Sequence, residues 1–135
     1  IYESLTGTPR EAAEVIGEEL AAEGVDVTVC PVDRIDLPAL AAADLVLVGS
    51  WVDGFVLLGQ RPGRAGRLRK MPVIDGKKAA VFCTYAVDPG QTLTKLSGIV
   101  ADRGGVMIGG LAIHRNKVEE GARDFVDRVL ATVDA

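Results

Sequence analysis

The sequence contains few cysteines and lacks any long hydrophobic run. The two cysteines, Cys30 and Cys83, form no C-x-x-C pair and no metal-ligand spacing, so we expect reduced thiols in or beside the core and no metal site. No apolar stretch approaches the roughly 18 residues that a membrane helix needs, and we find no signal peptide. These absences favour a cytoplasmic protein with no membrane span.

Aromatic residues and histidine are also scarce. The chain has one tryptophan, two tyrosines and three phenylalanines, and His114 is its single histidine. His114 closes the last strand-like segment, and no carboxylate partner for it is identifiable in the sequence. We therefore expect a surface residue near the rim of any site.

Length and composition predict a single domain over residues 1–135. A chain of 135 residues buries about two-thirds of its surface on folding, enough for a core without disulfides or metal. Its hydrophobic content of 48%, with 16 glycines and 6 prolines, is typical of a globular protein and excludes a disordered one.

The net charge of −4 conceals a basic segment within an acidic chain. Residues 61–78 carry a net charge of +6, which leaves −10 for the remainder. Because no aromatic residues interleave with these cations and no binding motif is present, we expect no nucleic-acid binding. A solvated loop and helix face is the favoured interpretation of the segment.

Strand-like and helix-like segments alternate along the chain, which predicts a parallel sheet. The expected strands cover residues 25–30, 45–48, 78–83 and 106–113, and the expected helices cover residues 8–23, 36–43, 66–70 and 118–133. A further helix is marked by Leu93, Leu96 and Val100 and closed by Gly104. The first helix has Thr8 as its cap and Pro9 at its first position. Before it there is only Ile1-Tyr2-Glu3, too short for a strand in mid-sheet, so we infer a first strand truncated at the N-terminus.

In open parallel sheets, ligands bind beyond the carboxyl ends of the strands. The loops that matter are residues 3–9, 50–60, 84–91 and 113–117. Residues 4–9 contain three hydroxyls and a glycine and lead into a helix N-terminus, where free N–H groups and the helix dipole favour a phosphate. The alternative is that Thr8 merely caps the helix and that Ser4 and Thr6 are turn residues.

The common nucleotide and phosphatase motifs are absent. There is no G-x-G-x-x-G and no G-K-[ST], which argues against a Rossmann fingerprint and a P-loop. A phosphatase C-x5-R also fails, because Cys83 is followed six positions later by Pro89 and Cys30 by Asp36.

Three of the few aromatic residues follow strands of the predicted sheet. Trp51 and Phe55 come after one central strand, and Tyr85 comes after the next. Large rings on exposed loops are well explained by stacking on a flat ligand. The alternative is that Trp51 covers the end of the core.

The first loop resembles the phosphate loop of flavodoxins, [ST]-x-T-G-x-T. Ser4, Thr6 and Gly7 match this motif, whereas Pro9 replaces its last threonine and removes one hydroxyl and one backbone N–H. Residues 49–54 look like the flavodoxin loop that stacks an aromatic ring on the isoalloxazine. Residues 84–90 look like the loop at the other edge of that ring system.

The resemblance covers the whole chain in its order of elements. It implies a flavodoxin-like three-layer α/β sandwich, with a five-stranded parallel sheet of order 2-1-3-4-5 and helices on both faces. It also implies non-covalently bound FMN and electron transfer between redox partner proteins, a reductase and an acceptor. The FMN-binding residues that it implies are Ser4, Leu5, Thr6, Gly7, Thr8, Pro9, Ser50, Trp51, Val52, Asp53, Gly54, Thr84, Tyr85, Ala86 and Gly90.

The resemblance also assigns a role to the dipeptide Asp53-Gly54. In flavodoxins, a glycine-containing peptide of this loop turns over on reduction, and its carbonyl accepts a hydrogen bond from the reduced flavin. Glycine suits this change because it enters positive φ at little cost, and the Asp53 carboxylate would oppose negative charge on the ring. The alternative is an ordinary Asp-Gly turn.

Three other functions share this fold class. An FMN-dependent NAD(P)H:quinone reductase is one, although the short chain has no obvious nicotinamide subdomain. A flavodoxin-like module that has lost its cofactor and binds a partner is another, favoured by Pro9 and the basic residues 61–70. A phosphoacceptor receiver domain would need an aspartate where the chain has Gly49-Ser50, and an acidic pair at the end of the first strand.

Overall fold

The computed structural model describes residues 1–54 and 59–133. Its elements in chain order are α1 (Thr8–Ala22), α2 (Leu37–Ala42), β1 (Leu45–Asp53), β2 (Arg61–Pro62), α3 (Ala65–Leu68), β3 (Lys78–Tyr85), α4 (Thr92–Asp102), β4 (Val106–His114) and α5 (Val118–Val133). Every predicted helix is confirmed to within a few residues. The strands depart from the prediction in number and direction.

The continuous apolar segments form the centre of the sheet. β1 pairs in parallel with β3, and β3 pairs in parallel with β4, whereas β2 pairs antiparallel with β1. Within residues 1–54 and 59–133, the sheet has four strands in the order β2-β1-β3-β4. The expected five-stranded parallel sheet of order 2-1-3-4-5 is therefore wrong.

The segments expected as the first two strands contribute isolated bridges instead. Tyr2 forms single parallel bridges with Pro31 and with Gly49, and residues 25–30 have no regular secondary structure. The valines of that segment do pack on α1, where a Cβ at Gly17 would come 2.8 Å from one of them. A ladder also needs consecutive partners along its hydrogen-bonding edge, and Tyr2 supplies a single one.

The sequence predicts a long loop over residues 50–64, but the first of these residues form the end of β1. The chain then returns as β2, which pairs antiparallel with that end. Pro62 has no N–H to donate, and such a residue is confined to a sheet edge. Directly after it, the Gly63 N–H donates to the Trp51 carbonyl at 2.8 Å and closes the pair.

The two Pro-containing helix starts differ in how they are capped. In α1 the N-cap is Gly7, with φ 96°, and no side chain caps the helix. The predicted cap at Thr8 is therefore wrong by one residue. Glycine is suited to the cap position because it enters this left-handed conformation at little cost. In α2 the Asp36 carboxylate accepts the Ala39 N–H at 3.0 Å, so that predicted start is confirmed.

The core lies on both faces of β3, whose side chains alternate between two clusters. Ala80 and Phe82 pack with apolar residues of α1 and α5 on one face. Ala79 and Val81 pack with residues of α3 and α4 on the other. The predicted three-layer α/β arrangement, with helices on both faces of the sheet, is confirmed.

Candidate functional site

The carboxyl ends of β1, β3 and β4 lie at one edge of the sheet because these strands run parallel. Trp51 lies opposite Thr84, and Tyr85 lies opposite His114, at the ends of the two ladders. The second, third and fourth predicted loops therefore start side by side. This edge is the usual position of a ligand in an open α/β sheet.

The loop of residues 4–9 starts beside the same edge and ends on α1. The Glu3 N–H donates to the Gly49 carbonyl at 2.9 Å, which ties the start of the loop to β1. Within the loop the Gly7 N–H donates to the Ser4 hydroxyl oxygen at 3.1 Å. The space beyond the Gly7 Cα is open, because a Cβ there would meet nothing within 4 Å.

Backbone donors remain available in this loop. The N–H groups of Leu5 and Thr6 make no hydrogen bond within residues 1–54 and 59–133, and both residues are exposed. Thr8 follows as the first residue of the 15-residue α1. Pro9 is buried and has no N–H, so the first turn of α1 offers one donor fewer. Free N–H groups at the positive end of a helix dipole bind anions.

A buried carboxylate that the sequence analysis missed supports this loop from below. Glu3 is only 4% exposed, and its Oε1 accepts the Ser4 N–H at 3.1 Å. The same carboxylate lies 3.4 Å from Arg64 and 3.5 Å from Arg67. Two cations from the α3 region therefore balance the buried charge and connect that region to the loop.

These contacts change the interpretation of the basic segment. Arg64 and Arg67 contact Glu3, and the Lys77 ammonium donates to the carbonyls of Ala41 and Ala43, the latter at 2.7 Å. The segment is therefore only in part a solvated face. The available signal was an acidic residue directly before a strand-to-helix turn, together with an excess of arginine elsewhere in the chain.

The second loop is anchored by Ser50 and Gly63. Ser50 is fully buried, and its hydroxyl donates to the Gly63 carbonyl at 2.8 Å. A Cβ at Gly63 would lie 2.0 Å from the Trp51 indole, so the glycine backbone packs directly against that ring. Trp51 and Val52 are half-buried. Part of the indole thus covers the end of the sheet, and part remains exposed at the edge.

Asp53 is the last residue of β1, and Gly54 follows it in a bend. Gly54 has φ 95°, and a Cβ there would come 2.4 Å from the Gly59 carbonyl oxygen. The Asp53 carboxylate lies 3.6 Å from the Arg61 guanidinium, with both side chains about half exposed. The charge of Asp53 is therefore partly balanced within the loop. Phe55 lies outside the described residues.

His114 positions the third loop. Its ring lies edge-on to Tyr85, with the ring centroids 5.2 Å apart. The Nδ1 atom accepts the Asn116 N–H at 3.1 Å, so the proton resides on Nε2, which donates to the Ala86 carbonyl at 2.8 Å. Thr84 is buried beneath this group, whereas Tyr85 is half-buried. His114 therefore also positions the third loop at this edge of the sheet.

The second and third loops are joined through Gln60. Its side-chain amide donates to the Asp88 carbonyl, and the Lys95 ammonium donates to the Gln60 carbonyl at 2.6 Å. The Gly90 N–H donates to the Asp88 carboxylate at 3.1 Å. A Cβ at Gly90 would overlap the Gln60 side chain, 1.9 Å from its Oε1 atom. A side chain at Gly90, which has φ 54°, would therefore require the Gln60 side chain to move.

The thiol of Cys83 is buried in β3 and is inert. Burial raises the pKa of Cys83 to about 12, so the thiol stays protonated at neutral pH. Across the described residues, no group of three or more histidine, cysteine or carboxylate side chains could hold a metal ion. No helix in residues 1–54 and 59–133 is long and apolar enough to cross a membrane.

A three-layer α/β sandwich with a hydroxyl-rich loop before its first helix is the arrangement of flavodoxin-like proteins, and solved flavodoxins share the fold of this chain. A cysteine-to-serine mutant of flavodoxin from Pseudomonas aeruginosa matches with a TM-score of 0.74 and 16% identity, over 99% of this chain and 96% of that one. Oxidised flavodoxin 2 from Bacillus cereus matches with a TM-score of 0.73 and 22% identity, over 96% and 94%.

A flavodoxin from the domain Archaea matches with a TM-score of 0.68 and 21% identity, over 96% of this chain and 95% of that one. No protein-family model and no curated protein sequence matches the chain. The chain therefore has the flavodoxin fold, at sequence identities too low to carry residue roles across.

Proposed function

We propose that this protein binds FMN and carries electrons between redox partner proteins. The observation that supports the proposal is the combination at one sheet edge of an anion-binding loop and two half-buried aromatic rings, Trp51 and Tyr85. FMN joins a phosphate to a flat ring system, so these two features match its two ends.

The phosphate end fits residues 4–9. Leu5 and Thr6 offer unbonded N–H groups, and the open space at Gly7 leaves room for an anion. The Ser4 hydroxyl already accepts the Gly7 N–H, and it can donate its own proton to a phosphate oxygen at the same time. Thr8 adds a hydroxyl at the start of α1. Glu3 holds this loop in place through the Ser4 N–H.

The ring end fits the second and third loops. We assign Trp51 and Tyr85 to the two sides of the isoalloxazine, with Val52, Asp53, Gly54, Ala86 and Gly90 around it. The side chains of Ser50 and Thr84 are buried, so we assign them support of these loops from below. His114 fixes the ring of Tyr85 and the Ala86 carbonyl at one edge.

Bound FMN would supply the capacity to accept and release electrons. The chain's own residues exclude water from the ring and set the charge beside it. The Asp53 carboxylate opposes negative charge on a neighbouring group, and Arg61 at 3.6 Å moderates that effect. The acidic remainder of the chain offers a surface for basic partners, since part of the basic segment is engaged internally.

Substitution of each partner of the Asp53–Arg61 ion pair tests whether the flavin ring lies beside this loop. We expect Asp53→Asn to raise the potential for the second electron on bound FMN, and Arg61→Gln to lower it, each by tens of millivolts. Reductive titration of the two variants measures both. Potentials identical to the parent's in both variants would show that this loop does not border the flavin. Gly54→Ala is a poorer test because its Cβ would overlap the Gly59 carbonyl.

The phosphate assignment is tested by comparing FMN with riboflavin, which lacks the phosphate. We expect Thr6→Ala with Thr8→Ala to weaken FMN binding by about 1 kcal/mol per lost hydrogen bond and to leave riboflavin binding unchanged. Thr132→Ala, an exposed threonine at the far end of α5, is the matched control.

Unchanged FMN affinity in the double variant, or an equal loss for riboflavin, would contradict the phosphate assignment. Sustained oxidation of NAD(P)H by the FMN-loaded protein would identify a reductase and not a carrier. We place the protein in the cytoplasm on the strength of its two free thiols, Cys30 and Cys83.

A further inference from the structure

A buried charge lies directly beside the uncharged loop of residues 4–9. The Glu3 carboxylate shares its Oε1 atom between the Ser4 N–H at 3.1 Å and the Arg64 guanidinium at 3.4 Å. Its Oε2 atom lies 3.5 Å from the Arg67 guanidinium and accepts no hydrogen bond within residues 1–54 and 59–133. Because burial of a charge is costly unless the charge is paired, the position of this carboxylate depends on both arginines.

The start of α3 brings both arginines to the one carboxylate. Arg64 is the N-cap residue of α3, and the Arg67 N–H donates to the Arg64 carbonyl at 2.9 Å. Residues three positions apart lie on the same side of a helical turn, so both guanidiniums reach Glu3. Arg67 also lies 3.9 Å from Asp33, but both of these side chains are about half exposed and the contact is correspondingly weak.

The backbone of Arg64 is strained. Its φ of 50° and ψ of 45° are left-handed, and among the described residues it is the single non-glycine residue with a positive φ. A glycine would adopt this conformation at lower cost, so the backbone alone does not call for an arginine. Strain of this kind is concentrated at functional sites. The contact of the Arg64 side chain with Glu3 is therefore the feature that requires a functional explanation.

The geometry of the loop follows from the position of Glu3. The carboxylate accepts the Ser4 N–H, and the Ser4 hydroxyl in turn accepts the Gly7 N–H at 3.1 Å. These two hydrogen bonds lie on either side of the unbonded N–H groups of Leu5 and Thr6. A displacement of Glu3 would therefore move the donors that a phosphate needs.

We propose that Arg64 and Arg67 are positioning residues for the phosphate end of FMN, and that they act through Glu3 and not by direct contact with the phosphate. This inference rests on the proposed function. The arginines hold the carboxylate beside the loop, and the carboxylate holds Ser4, so the donors of the loop are in place before the anion binds. Loss of the arginines therefore weakens the binding of a phosphorylated ligand and spares the binding of the ring alone.

A double-mutant cycle on the dissociation constants of FMN and riboflavin tests this order of contacts. We expect Arg64→Gln with Arg67→Gln to weaken FMN binding about tenfold or more and riboflavin binding by less than about twofold. Glu3→Ala is expected to weaken FMN binding to a similar extent. In the Glu3→Ala background the two arginine substitutions should add less than about twofold, because residues that act through one another are not additive.

Arg128→Gln is the matched control for the loss of an arginine. It removes an exposed guanidinium from an ion pair on α5, and we expect both dissociation constants to stay unchanged.

Hydrogen exchange at the Ser4 N–H reports on the loop without any flavin. We expect about tenfold faster exchange at Ser4 in the double arginine variant and unchanged exchange in β3. This pattern separates a displaced loop from a destabilised protein. Unchanged exchange at Ser4, or an equal rise in β3, would overturn the proposal.

Two binding results would also overturn it. One is an arginine effect on FMN that is undiminished in the Glu3→Ala background, which would indicate direct contact with the phosphate. The other is an equal loss of FMN and riboflavin binding. A parent protein that binds FMN no more tightly than riboflavin would instead contradict the phosphate assignment of the proposed function. Exchange at Ser4 would then still decide whether the arginines position the loop.

Discussion

β3 and the segment around Tyr2 both lie between two parallel neighbours, yet only β3 is a strand. β3 pairs along its whole length with β1 on one side and β4 on the other. Tyr2 makes one bridge on each side, and residues 25–30 beyond it have no ladder. An apolar or alternating sequence is thus not sufficient for a strand, because the backbone also needs consecutive partners on its edges.

The core around β3 and the segment around Tyr2 are also expected to differ in stability. Around β3 the core is closed on both faces, with Phe82 in contact with Phe125 at a centroid distance of 5.6 Å. In the segment of residues 25–30 beside Tyr2, Val25 is 37% exposed and Val29 is 40% exposed. We therefore expect substitutions on the β3 side to be costly and those on the Tyr2 side to be tolerated.

The largest expected effect is that of Phe82→Ala. The ring is 2% exposed, and its removal from the closed core is expected to lower the free energy of unfolding by about 3–5 kcal/mol. Urea unfolding measures the loss. Val29→Ala is the comparison on the other side, where we expect a loss of about 1 kcal/mol or less. Losses of similar size in the two variants would break the comparison.

A smaller effect separates the two cysteines, one on each side of the comparison. Cys83 lies in β3, and burial raises its pKa to about 12. Cys30 is half-buried beside Tyr2. At pH 8 we expect a thiol reagent to modify Cys30 at least about a hundredfold faster than Cys83 in the folded protein.

The variant Cys30→Ser is the control, because it should leave no rapidly reacting thiol until the protein unfolds. Two thiols that react at the same rate under native conditions would show that the core around β3 opens as readily as the segment around Tyr2.

The features that the sequence predicted correctly are those that depend on interactions between neighbouring residues. A helix start depends on neighbouring residues, so the start of α2 at Asp36 could be predicted. The central strands were recognisable because an apolar run such as residues 45–48 requires cover on both faces. The hydroxyl-rich loop could also be placed, since it directly precedes a helix.

The remaining features depend on contacts between distant residues. Glu3 and Arg64 are 61 positions apart, and no local pattern indicates their contact. β2 forms because the chain turns back after β1 and pairs with it. The position of Tyr85 against His114 likewise depends on the register of β3 with β4. Such features of the site become visible only in the folded chain.

The measurement that most directly tests the central claim is the fluorescence of Trp51 during addition of FMN to flavin-free protein. Trp51 is the single tryptophan, so the emission reports one position. A flavin stacked at this sheet edge quenches the indole, and we predict a saturable loss of emission that ends at one FMN per chain. Emission that stays unchanged while FMN is in excess would contradict the proposed site.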